Sequence, residues 1–86
     1  MTSNLKEWLT QNEYSHDNLN SVGKYGNSAI MKASREANLS IVDELISLNV
    51  DLNVKNIDGN SALWNACFGD SYACFEALVS AGINID

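Results

Sequence analysis

The chain has 86 residues, the size of one small domain near the limit where a single core becomes marginal. Hydrophobic residues make up 45% and charged residues 19%, the proportions of a folded globular chain rather than a disordered tail. The formal net charge of −6 opposes nucleic acid and anionic membrane surfaces, and it favours solubility and a basic partner.

No apolar run is long enough to span a bilayer. Met1 to Thr10 carries Lys6, Glu7 and other polar residues, unlike a secretory signal. Only Cys67 and Cys74 carry thiols, and they read as intracellular cysteines rather than a disulfide framework, so a cytoplasmic location is expected.

Along the chain, Leu5, Trp8 and Leu9 mark a first helical segment over Leu5–Thr10, followed by a polar stretch around Glu13 to Asp17. Ser28–Glu36 places Ile30, Ala33 and Ala37 at helical spacing, and Ser40–Leu48 does the same with Ile41, Val42, Leu45, Ile46 and Leu48. Ser40 with Asp43 three residues on has the form of a capping box. Asn38 is expected to take the left-handed turn between these helices, and Asn49 to end the second. Val50, Leu52 and Val54 alternate, and Asp58-Gly59 then signals a hairpin-like turn. Two further helices are expected over Ser61–Phe68 and Tyr72–Ser80, with Gly69 and Asp70 between them and Gly82 at the C-terminal cap.

These elements repeat. A shift of 33 positions lays Gly26-Asn27-Ser28-Ala29 onto Gly59-Asn60-Ser61-Ala62, and matches Ala33 with Ala66, Leu45 with Leu78 and Ser47 with Ser80. Random composition supplies roughly two identities over such an overlap. A weaker echo aligns Asn18-Leu19-Asn20 with Asp51-Leu52-Asn53 and Asn84-Ile85-Asp86. Upstream of Asn18 the register breaks, as in a terminal capping helix.

A 33-residue unit of turn, helix, turn, helix resembles the ankyrin repeat. The family's Thr-Pro-Leu-His signature is matched by Ser28-Ala29-Ile30-Met31 and Ser61-Ala62-Leu63-Trp64. Its turn glycine is matched by Gly26 and Gly59, and its Gly-Ala-Asp-Val-Asn segment by Asn49 to Asn53 and Gly82 to Asp86. Both proline positions are substituted, which loosens the helix start. Both histidine positions are substituted too, which removes the family's usual hydrogen bond there. The resemblance implies an all-α helix-turn-helix repeat stack with short hairpin-like turns. Its parts are a cap and loop at 1–22, a first repeat at 23–55 and a second at 56–86 whose next turn is incomplete.

It also implies a non-catalytic module that binds another protein through a concave surface. Carried onto this sequence, the contact positions are Lys24, Tyr25, Asn27 and Arg35 in the first unit, and Ile57, Asp58, Asn60 and Phe68 in the second, with Trp64 close by. Trp64 and Phe68 share a helical face, and with Tyr25 they have the chemistry of interface anchors. Trp64 also fits a core position beneath a hairpin.

A second surface is expected at the C-terminal end. The sequence stops where a third hairpin would begin, leaving parts of Leu63, Cys67, Leu78, Val79, Ile83 and Ile85 to face water. Covering about 400 Å² of such a face is worth on the order of 10 kcal/mol before entropic costs. A longer array, a second copy of the chain, or another protein completing the stack would each cover it.

Catalytic, metal and cofactor chemistry is not expected. His16 is the only histidine and lies in a polar stretch. Cys67 and Cys74 lack redox or zinc spacing, no phosphate loop is present, and Asp51, Asp58 and Asp70 do not form a calcium loop.

Overall fold

In the computed structural model, which describes residues 1–84, three nine-residue helices each begin beneath a side-chain oxygen. Thr2 caps α1 (Ser3–Gln11), Asn38 caps α3 (Leu39–Ser47) and Ser71 caps α5 (Tyr72–Ser80), accepting from the N–H groups of Leu5, Ile41 and Cys74. The expected Ser40 cap is therefore corrected. Asn38 sits two residues earlier and has the longer reach, so Ser40 falls inside the helix. Two seven-residue helices, α2 (Ala29–Arg35) and α4 (Ala62–Phe68), start at Ser28 and Ser61 without a side-chain cap bond.

The helices form two layers. α2 packs on α4, while α1 packs on α3 and α3 on α5; α2–α3 and α4–α5 join the layers within each unit. The result is an all-α repeat stack in which α1 belongs to the outer layer. Its cap Thr2 precedes Asn38 by 36 positions, whereas Asn38 precedes Ser71 by 33, so the polar loop after α1 carries three extra residues.

Each outer helix closes in the same way. Glu13, Asn49 and Gly82 adopt φ of 63°, 60° and 90°. The next N–H in each case, from Tyr14, Val50 or Ile83, returns to the carbonyl of Leu9, Leu45 or Leu78. Between inner and outer helices the left-handed residues are Ala37 (φ 58°) and Asp70 (φ 55°), not Asn38 or Gly69. Asn38 is engaged as a helix cap. Gly69 has an ordinary φ of −77° and is glycine for another reason: a Cβ there would drive into the backbone carbonyl of Arg35.

The weak Asn-Leu-Asn echo has a structural counterpart. Asn20 Oδ1 accepts from the N–H of Asp51 at 2.7 Å, and Asn53 Oδ1 accepts from that of Asn84 at 2.8 Å. Side-chain amides thus join successive loops where the described residues form no extended sheet, only a single bridge between Val22 and Ser28. The core runs between the layers through Leu5, Leu9, Ile30, Met31, Ile41, Val42, Leu45 and Leu78. Among the described residues Ser28 Oγ is buried without a hydrogen-bond partner, and Met31, at the signature's histidine position, offers no donor.

Glu44 clips α1 to α3 by accepting from both the N–H and the hydroxyl of Thr2. Those hydrogen bonds, chiefly the one from the hydroxyl, hold its carboxyl below the usual glutamate range.

Candidate functional site

Two fingertip turns project from the starts of the inner helices. In the first, Gly23 donates to the carbonyl of Asn27 at 2.9 Å, and Tyr25 (φ 61°) and Gly26 (φ 74°) both take left-handed backbone. Such a conformation costs a tyrosine roughly 1–2 kcal/mol. In the second turn Asn56 Oδ1 accepts from the N–H groups of Asp58 and Asn60, each at 3.0 Å. The tips are locked edge to edge, because Ile57 N–H donates to the carbonyl of Tyr25 at 3.1 Å and Asn56 Nδ2 donates to Asn27 Oδ1 at 2.9 Å. Tyr25 (61% exposed) and Ile57 (73%) are left open on this rigid mount.

Behind the tips, the inner helices carry a three-layer stack. The Arg35 guanidinium lies 4.1 Å from the centre of the Phe68 ring, and Phe68 stacks on Trp64 at 5.2 Å with 21° between planes. Arg35 comes from the last turn of α2; Trp64 and Phe68 are one turn apart on α4. The stack holds long side chains in one geometry while leaving Phe68 58% and Trp64 44% exposed. Trp64 is thus not sealed beneath a hairpin.

Of the expected contact residues, Lys24, Tyr25, Arg35, Ile57, Asp58, Trp64 and Phe68 are exposed. Asn27 and Asn60 are half-buried; the Asn27 side-chain oxygen accepts from Asn56, and the backbone N–H and carbonyl of Asn60 both pair with Asn56. Lys24 Nζ lies 5.4 Å from the centre of the Tyr25 ring. Lys32, which the sequence reading passed over, lines the same face as Lys24 and Arg35. The signal was available: Lys32 aligns with Asn65, which is buried, so the two units differ in chemistry at that register.

The expected association surface needs correction. Leu78 (0% exposed), Ile83 (5%) and Leu63 (8%) lie inside the core. α5 turns Leu78 inward, and the Ile83 N–H bond to the Leu78 carbonyl folds Ile83 back over the helix end. Val79 is exposed, and Ile85 lies outside the described residues. Trp64, Cys67 and the half-buried Phe75 instead line an open cleft on that side. Their equivalents 33 positions earlier, Met31, Ser34 and Val42, are all completely buried.

At the other end Trp8 and Tyr14 stack at 5.8 Å with 5° between planes. Trp8 Nε1 donates to Glu36, and the Tyr14 hydroxyl donates to the carbonyls of Asn27 and Ser28. Burial, and secondarily the Glu36 charge, raise the Tyr14 pKa and keep it a donor. His16 makes an exposed contact with the Thr10 hydroxyl at 2.9 Å. Among the described residues no group of three or more His, Cys, Asp or Glu side chains is placed to hold a metal, and no helix is long and apolar enough to cross a membrane.

Comparison with known proteins agrees with this geometry. A family model described as ankyrin repeats (3 copies) matches residues 2–86. A chain in the complex of a predatory endopeptidase from Bdellovibrio bacteriovorus with an immunity protein superposes with a TM-score of 0.79 and 36% identity, covering 94% of this chain. The ankyrin repeat domain of human ASB11 superposes at 0.76 with 24% identity over 92% of this chain. This chain spans 40% and 34% of the lengths of those two chains.

Proposed function

The chain belongs to the ankyrin-repeat family, whose repeats generally serve as protein–protein interaction modules, and from that premise we propose that it is a non-catalytic module gripping one partner protein through its concave face. The observation that carries this reading is the Arg35–Phe68–Trp64 stack on the inner helices behind the exposed fingertips. Aromatic and arginine side chains already fixed in place lose little further freedom on binding, which is the chemistry of an interface hot spot. A similar chain in a complex of an endopeptidase with an immunity protein supports a role of this kind.

The test begins by recovering partners from the source cell on the immobilised chain, identifying them, and titrating the purified partner by calorimetry. Phe68→Ala is expected to weaken binding roughly thirtyfold, a hot-spot loss of about 2 kcal/mol, with an unchanged melting temperature. Unchanged affinity in that variant would refute the reading.

The burial contrast between the units favours a second reading, in which a second copy of the chain or another repeat protein covers Trp64, Cys67 and Phe75. If a second copy does so, light scattering over a concentration series will show a dimer that dissociates on dilution and that Cys67→Asp abolishes. A monomer at all concentrations removes the homodimer.

A further inference from the structure

We propose that the flank of α2 built from Lys24, Lys32, Arg35 and Tyr25 is a docking groove for an acidic segment of the partner protein; the proposal rests on the protein-binding reading above. The chain is acidic overall, with 11 carboxylate residues against five cations. Three of those five cations nevertheless line a single groove of about 530 Å³ beside the first fingertip, where Glu13 is the one carboxylate among the lining residues and Glu36 pairs with Lys32 at its edge. The outer helices carry Glu7, Asp43, Glu44 and Glu76. A positive cleft on a negative body directs an acidic ligand to one place and repels it elsewhere. The basic partner implied by net charge alone is thereby reversed at this surface.

The donors are prepared for carboxylates. Arg35 has one planar face on Phe68, which leaves its N–H edges free for a bidentate pair, and among the described residues no carboxylate lies within 4.0 Å of it. Lys24 likewise has no such partner among the described residues and stands beside the exposed Tyr25 ring. Lys32 is positioned by a 3.4 Å pair with Glu36, both side chains 40% exposed. The register adds an independent point. α4 has Asn65 where α2 has Lys32, and Asn65 is buried with its amide donating to the carbonyl of Ser61. A lysine at that position suits a hydrated, open flank and not one sealed by an apolar neighbour. Tyr25 in the left-handed region keeps its ring at the groove mouth at a conformational cost that Asp58, its equivalent in the second turn, does not incur.

The isotope-labelled chain is titrated by NMR with an N-acetylated Glu/Asp-rich peptide, with its Lys-substituted counterpart and with oligothymidylate. The acidic peptide is expected to shift the amides of Lys24, Tyr25, Lys32 and Arg35, with affinity that falls as salt rises. Arg35→Glu and, independently of the aromatic stack, Lys24→Glu should each weaken it at least roughly tenfold without altering the melting curve. The proposal is overturned if the acidic peptide does not bind, if the lysine peptide binds equally, or if oligothymidylate takes the groove in preference. A purified partner that loses affinity with Phe68→Ala but ignores salt and both charge reversals sinks this inference and leaves the protein-binding reading standing. A partner indifferent to all three substitutions sinks both.

Discussion

Gly69→Ala will destabilise the fold by about 3 kcal/mol, the upper end of overpacking costs, lowering the melting temperature by on the order of 15 °C in a domain of this size. The physical reason is space, not conformation. At φ −77° an alanine fits the backbone of Gly69 without strain, and taken alone the change would stabilise slightly by restricting the unfolded chain. The new Cβ instead meets the carbonyl oxygen, the carbonyl carbon and the Cα of Arg35, none of which rotates away. α4 must retreat from α2, and the Arg35–Phe68 contact goes with it. Gly59→Ala is the matched control. It has φ 79° and open space around it, so it incurs only the left-handed penalty of roughly 1–2 kcal/mol. Thermal melts followed by circular dichroism rank the two. A smaller loss at Gly69 than at Gly59 would mean the inner helices sit further apart than described.

Leu78→Ala carries the other large expected effect, a loss of about 3 kcal/mol measured by urea titration. Leu78 is wholly enclosed, so truncation removes transfer free energy and leaves a cavity. Its neighbour Val79 is 36% exposed, and Val79→Ala should cost under about 1 kcal/mol. The pair separates core from surface on one helix. A neutral Leu78→Ala that changed the oligomeric state instead would restore Leu78 to an exposed association face.

The helices, their order and their stacking were legible in the sequence because the 33-residue shift superposes both apolar spacing and turn chemistry. Asn49 and Gly82 could be read as left-handed caps from residue type alone, and both adopt positive φ. Ala37 could not, since alanine has no side-chain reason to be left-handed; the helix junction imposes that conformation on it. Ser40 misled for a related reason: two candidates for one cap, two residues apart, are separated by geometry, not by composition. At the C-terminal end the sequence marks which residues are apolar but not which way α5 rolls. Leu78 and Ile83 turn inward while Trp64, Cys67 and Phe75 line an open cleft. The groove beside α2 was missed because net charge averages over the chain, whereas a ligand meets only the charges that the fold gathers.

The two aromatic stacks stand in the first and last units of the repeat stack, at α1 and on α4, and each contains one of the two tryptophans. Trp8 is 8% exposed and hydrogen-bonded, whereas Trp64 is 44% exposed and stacked on phenylalanine. Their indole emission therefore comes from a dry site at one end and a wet site at the other. Stacks of this kind couple only neighbouring units, so their ends are free to loosen at different times. The chain carries its own pair of lamps, one at each end, and their colours tell which end has opened first.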